Sequence, residues 1–197
     1  TLPVRFSIDF FGDELRPGDV IVANDPYHGG GHLPDFNVFS PVFSDEGELL
    51  LIASIQCHHG DTGGAVAGGY NTMARDIFSE GTRYPLRKII DGGQERRDVV
   101  LTMRANNRLP GFIGDLRAQV GAAQLGARRL GEIVDRYGVG AVKSAVDYTI
   151  EDAHRRFSSE ISGWPDGTYE ADVYVDSDPQ GNQDIHVHVA VTVDDDR

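Results

Sequence analysis

Apolar and polar positions along the chain fall into distinct patterns. Residues 19–25 (DVIVAND) and 48–57 (ELLLIASIQC) are short, nearly unbroken apolar runs, β-branched in part, and read as buried strands. Residues 36–43 read as another strand, and Pro41 within it predicts an edge position or a bulge, because proline brings no N–H to a ladder. Val4, Phe6, Ile8 and Phe10 alternate, which predicts a strand over residues 1–11; residues 72–80 read as a short helix closed by Gly81. Further on, the period changes. Leu116, Val120, Ala123, Ala127, Leu130, Val134 and Tyr137 recur at steps of four and three, giving one helical stripe with Asp115 as N-cap and Gly138 as stop. Val142, Val146, Ile150, Ala153, Phe157 and Ile161 repeat that stripe up to Gly163, and the short Gly138-Val139-Gly140 link predicts an antiparallel helical hairpin.

Two alternating strands close the pattern, over 168–176 and 184–194, around a turn at Asp178-Pro179-Gln180-Gly181-Asn182. Their expected core face carries Ile185, Val187, Val189 and Val191. The expected fold is mixed α/β (α+β): a glycine-rich strand and loop region over 1–110, the helical hairpin over 111–163, and the strand pair over 164–197. The chain opens directly on a strand pattern and stops just after one, at Asp194-Asp195-Asp196, so it reads as a segment of a longer protein.

Composition narrows the function classes. Lys and Arg number 18 against 31 Asp and Glu, a net charge of −13, which argues against non-specific nucleic-acid binding and against an anionic membrane surface. No stretch approaches the roughly 20 apolar residues of a membrane span. The single cysteine, Cys57, rules out an internal disulfide framework and any CxxC zinc site, and fits a reducing, cytoplasmic setting. Glycine is abundant, at 24 of 197 residues, and crowds the first half, where backbones must turn sharply or approach something closely.

Four of the seven histidines lie among those glycines, in two clusters: NDPYHGGGHLPD (24–35) and CHHGDTGG (57–64). Each follows an apolar strand, where α/β proteins usually place their sites. Pro34 keeps His32 and Asp35 off a regular helix and in an irregular loop. An imidazole and a carboxylate from one loop, with an imidazole from a neighbouring strand end, make a three-ligand set with open positions, suited to zinc, manganese or iron. In extended backbone His58 and His59 point to opposite faces, so one of them enters such a site, and spacing does not say which. The bland alternative is that these histidines merely shape loops or hydrogen-bond within the core.

Other chemistries find less support. No GxxxxGK[ST] phosphate loop and no GxGxxG opening a helix occurs, and the glycine run at 63–69 lacks a lysine and a hydroxyl after it. Cys57 beside histidines suggests a nucleophile, but adjacent strand residues diverge, and burial as a small apolar residue is the stronger reading. There is no GxSxG elbow. Asp184, His186 and His188 share a strand face opposite the expected core, which favours a solvent or contact surface over a second metal site.

Taken together, the motifs resemble the hydantoinase B/oxoprolinase family. The resemblance is carried by Gly18-Asp19-Val20, NDPYHGG and HLPD (24–30 and 32–35), HHGDTGG (58–64), Gly68-Gly69-Tyr70-Asn71, Glu80-Gly81 with Pro85, Asn106-Asn107-Arg108-Leu109-Pro110, and Gly114 through Gln119. It implies one larger hydantoinase B-type domain, in a cytoplasmic subunit of a hetero-oligomer. The family's ATP-dependent activation is assigned to a hydantoinase A-type partner subunit or domain, which binds ATP and magnesium. By the same resemblance His32, Asp35 and His58 hold a divalent transition metal (manganese, zinc or iron), while Asp61, His59 and Glu80 are the catalytic candidates. The implied function is ATP-dependent hydrolysis of a small cyclic amide, of hydantoin or 5-oxoproline type, with a metal-assisted carbonyl site. The alternatives are a subunit of an acetone- or acetophenone-type ketone carboxylase, to whose aryl-ketone branch the AVAGGYN and DIFSEG stretches look closest, and a non-catalytic scaffold.

Overall fold

The computed structural model describes residues 2–194; Thr1 of the first expected strand and Asp195 and Asp196 of the acidic run lie outside the described residues. The elements are α1 (Leu2–Phe11), β1 (Val20–Ala23), β2 (Asp35–Phe43), β3 (Leu49–His58), β4 (Arg87–Asp91), β5 (Gln94–Glu95), α2 (Arg97–Ala105), α3 (Phe112–Tyr137), α4 (Val139–Ile161), β6 (Gly167–Ser177) and β7 (Gln183–Val193). This is a mixed α/β fold with two antiparallel sheets, one in the order β3-β2-β1-β4-β5 and one formed by β6 and β7. The contacts divide the chain into two compact units, one ending at Val139 and one beginning at Gly140. No described helix is long and apolar enough to cross a membrane.

In the first unit, β1 is unbroken in its hydrophobicity because both faces of the sheet are covered. Side chains alternate along a strand. Val20 and Val22, with Phe36, Val38 and Ile89, pack against Val100 and Met103 of α2 and Phe112, Leu116, Val120 and Ala123 of α3. Ile21 and Ala23, with Phe39 and Leu86, face the other way onto Leu15 and the half-buried Val4 and Phe11. Each fully buried side chain of this size contributes about 1.5–3 kcal/mol. Pro41 sits where the pairing of β1 with β2 has already ended at Ile21↔Phe39, so β2 is an edge on that side, and its register to β3 shifts between Val42 and Phe43.

Several local expectations are corrected. Residues 2–11 form a helix rather than a strand: Val4, Ser7 and Phe11 lie on one helical face, with Ser7 buried, while Phe6 and Phe10 stay exposed. Pro3, tolerated in a first helical turn, is compatible with that start. Over residues 72–80 only the 3₁₀ turn Ile77–Ser79 forms. Side chains of Asn71 and Asp76 accept from the backbone N–H of Met73 and Ser79 and compete with a helix. Met73 and Phe78 are exposed, so no buried apolar face stabilises a helix there. Helix α3 starts at Phe112 after Gly111, which places Asp115 within the first turn, favourable to the helix dipole, instead of at the cap. Gly138, at φ 81°, ends α3.

The second unit holds α4 and the β6–β7 hairpin, whose turn is fastened by Asp178 accepting from the backbone of Gln180 and Asn182. The expected core face of β7 is not buried: Val187, Val189 and Val191 are exposed, as are Val173 and Val175 of β6. On the other face Asp172, rather than Asp184, meets His186 and His188, because the antiparallel register sets Asp172 opposite His188 and Tyr174 opposite His186. Asp184 itself has φ 48° and leaves the regular strand path.

Candidate metal centre and adjoining cavity

Antiparallel register builds half of the site. Asp35, the first residue of β2, is paired with His58, the last of β3. Their side chains meet at one end of the sheet, with His58 Nδ1 3.1 Å from Asp35 Oδ1. A tight turn brings His32 back onto the same carboxylate: the Asp35 N–H donates to the His32 carbonyl at 2.9 Å, and His32 Nδ1 lies 3.0 Å from Asp35 Oδ2. Asn24 fixes this loop from below. Fully buried, it donates to the carbonyls of Leu33 and Thr82 and accepts from the Tyr84 N–H at 2.6 Å.

The two imidazole nitrogens and a carboxylate oxygen converge within 4.8 Å of one another, and among the described residues no other His, Cys, Asp or Glu cluster does so. Both imidazoles are about half exposed and Asp35 is mostly covered, so the donors face an open side. Two neutral nitrogen donors and one anionic oxygen suit zinc, manganese or iron(II). Gln56, two residues before His58 and so on its face of β3, donates to Asp35 Oδ2 at 3.0 Å. Tyr70 stands over both rings, its hydroxyl 3.3 Å from His32 Nε2 and its ring stacked at 24° on His58. Neither residue is among the site residues expected from the sequence, although Tyr70 lies within the Gly68-Gly69-Tyr70-Asn71 motif. Strand periodicity alone pairs Gln56 with His58, whereas the motif around Tyr70 does not say which side chains it meets.

Beside His32 lies a cavity of about 250 Å³ lined by Leu33, Pro34, Gly69, Tyr70, Asn71, Thr72 and Glu80. Glu80 therefore shares a cavity wall with the cluster. Gly69, at φ 71°, lets the chain pass close to Pro34; a Cβ there would come within 3.2 Å of the Pro34 ring.

His59 and Asp61 are held elsewhere. His59 is buried, its Nε2 3.0 Å from Gln119 Oε1 on α3 and its ring set edge-on between Phe36 and Phe112. Gln119 in turn donates to the carbonyls of Phe36 and Ile55, so this histidine ties the loop after β3 to the helix over the sheet. Asp61, also buried, accepts from the N–H groups of Gly63, Gly68 and Arg108 and from Arg108 Nη1. Burial pushes its carboxyl upward, yet the Arg108 and glycine donors outweigh burial and hold it below the ordinary carboxylate range. Both side chains find their hydrogen-bond partners within the fold. A separate, larger cavity of about 570 Å³ is lined in part by charges that are already paired: Arg16 with Asp91, Lys88 with the buried Asp19, and Arg96 with Asp98.

Compared with known proteins, residues 1–197 match the family model described as hydantoinase B/oxoprolinase. The sequence is 37% identical over 185 residues to the caprolactamase subunit beta of Pseudomonas jessenii, covering 93% of this chain and 32% of that protein. It is 32% identical over 178 residues to the acetophenone carboxylase delta subunit of Aromatoleum aromaticum, covering 89% of this chain and 26% of that one. The crystal structure of the ATP-dependent caprolactamase from Pseudomonas jessenii superposes with a TM-score of 0.91 at 34% identity, over 98% of this chain and 34% of its counterpart. The chain thus spans about a third or less of the length of these relatives.

Proposed function

Because the chain belongs to the hydantoinase B/oxoprolinase family, we propose that it forms part of the catalytic subunit of an ATP-dependent amidohydrolase that opens a small cyclic amide. The observation that carries this reading is the convergence of His32, Asp35 and His58 on the open end of the sheet, beside a cavity of small-molecule size, in a chain so similar to a caprolactamase subunit. The three side chains would hold a divalent transition metal, which supplies Lewis acidity to a carbonyl oxygen as charge develops there.

This chain's own residues do the rest. Gln56 and the Asp35 backbone turn fix the carboxylate between the two imidazoles. Leu33, Pro34 and Tyr70 give the cavity apolar surface against which the ring to be opened packs. Glu80 is the one carboxylate among the lining residues and acts as the proton-transferring group. ATP is handled by a hydantoinase A-type partner in a hetero-oligomer, so the reaction requires both subunits. The similarity to an acetophenone carboxylase subunit supports a second reading, in which the same carbonyl site serves an activated ketone and a carboxyl donor.

The test is elemental analysis of the full-length subunit, wild type beside His32→Ala, followed by lactam- and ketone-dependent ATP turnover with the partner. Near-stoichiometric manganese, zinc or iron that disappears in a folded His32→Ala protein is the expected result. A folded full-length protein without metal, or a variant that keeps it, overturns the metal-centred site. Turnover of a ketone with bicarbonate, and of no lactam, selects the carboxylase reading.

A further inference from the structure

Tyr70 makes two separate contacts with the candidate ligands, and they are chemically distinct. Its ring lies nearly parallel to His58 at 6.0 Å between centroids, while its hydroxyl reaches Nε2 of His32, the nitrogen facing away from Asp35. An ionised carboxylate can only accept a hydrogen bond. In the geometry observed, Nδ1 of His32 faces Asp35 Oδ2 and Nε2 faces the Tyr70 hydroxyl. For Nδ1 to serve as a ligand its lone pair must be free, and the ring proton has to reside on Nε2. Few side chains can partner Nε2 in both tautomers. A phenol can, because it both donates and accepts.

We infer that Tyr70 is a positioning residue, whose hydroxyl accepts the Nε2–H of His32 and so holds the imidazole in the tautomer and orientation that expose Nδ1 for metal ligation. This rests on the metal reading above and extends it to a residue outside the ligand set. Histidine ligands generally donate their second ring N–H to a fixed acceptor, and loss of that acceptor typically costs 10–100-fold in metal affinity. The stack on His58 is a separate contribution, which phenylalanine preserves. Gly69 supports the arrangement by letting residue 70 swing over the loop without a side chain striking Pro34.

The experiment titrates zinc into the metal-stripped full-length subunit against a chromophoric chelator, for wild type, Tyr70→Phe, Tyr70→Ala and His32→Ala. Visible spectra of the cobalt(II)-loaded proteins and melting temperatures of the stripped ones are recorded in parallel. Tyr70→Phe is expected to weaken zinc binding by about 10-fold and to alter the cobalt bands at an unchanged melting temperature, with Tyr70→Ala at least as weak. Zinc affinity and cobalt bands in Tyr70→Phe equal to wild type overturn the inference while leaving the metal site standing. If wild type binds no zinc, or His32→Ala binds it as well as wild type, the metal reading fails and this inference falls with it.

Discussion

Asp61 offers the sharpest contrast between a catalytic and an architectural carboxylate, and replacing it with asparagine separates the two. Its carboxylate accepts from the Arg108 N–H at 2.7 Å and Arg108 Nη1 at 2.8 Å, and from the N–H groups of Gly63 and Gly68 at a longer 3.3 Å each. Hydrogen bonds to charged groups contribute about 1.5–3 kcal/mol net, against about 0.5–1.5 for neutral ones. Removing the charge therefore weakens the two short bonds by about 1 kcal/mol each, and the new amide group turns a donor toward donors. Arg108 is nearly half exposed, so water recovers part of the loss on its side. The expected cost of Asp61→Asn is about 2–3 kcal/mol. The acid side of the stability profile changes as well. Asp61 titrates below the ordinary carboxylate value in the folded state, so its contribution is complete above the unfolded value of about 3.9 and is lost as pH falls through the folded one. Wild type and variant should converge in acid. The assay is urea unfolding at neutral and acidic pH on the full-length subunit, with metal content and turnover measured where both proteins are folded. Reduced stability with wild-type metal content and turnover within a few-fold is expected. Wild-type stability with turnover lowered 100-fold or more would show that Asp61 acts as a base and refute the fastener account.

Two further perturbations probe the frame behind the site. Leu116→Ala empties a fully buried position between α3 and the sheet and should destabilise by about 2–5 kcal/mol in denaturant titration, where a loss under 1 would contradict the packing described. Gly64 has φ 79°, and a Cβ on it would lie 2.6 Å from the Glu80 carbonyl; Gly64→Ala should therefore cost at least the roughly 1–2 kcal/mol of left-handed backbone, lower the melting temperature by several degrees and weaken lactam turnover by displacing Glu80.

Much of the fold was legible because long periodic segments leave little choice. Strands β1, β2, β3, β6 and β7 and helices α3 and α4 all follow from apolar patterning and glycine stops. The failures have physical causes. Over residues 2–11 the helical face of Val4, Ser7 and Phe11 includes a buried serine, so it carries fewer apolar residues than the alternation of Val4, Phe6, Ile8 and Phe10, of which Phe6 and Phe10 are exposed. Over residues 72–80, composition allowed a helix, and the decision was made by Asx hydrogen bonds and by the lack of a surface to bury against. The valines of β6 and β7 mark a face that hydrophobicity predicts to be covered, while covering it is a property of neighbours that a strand's own pattern does not contain.

The site divides along the same line. Two rules, alternation along a strand and pairing across an antiparallel ladder, suffice to bring Asp35, Gln56 and His58 to one face once the β2–β3 register is known. Their partition from His59 follows from the same alternation, since the neighbouring side chain must enter the interior. His32, Tyr70 and Glu80 arrive by another route, along glycine-rich loops whose paths depend on single backbone angles and on a buried asparagine joining segments far apart in sequence. Motifs can flag such residues as unusual, but only the folded loop gives them a partner. That is why an exposed tyrosine with no periodic signal comes to contact both imidazoles, while Asp61, conspicuous beside the paired histidines, accepts hydrogen bonds from the loop that leads to Tyr70.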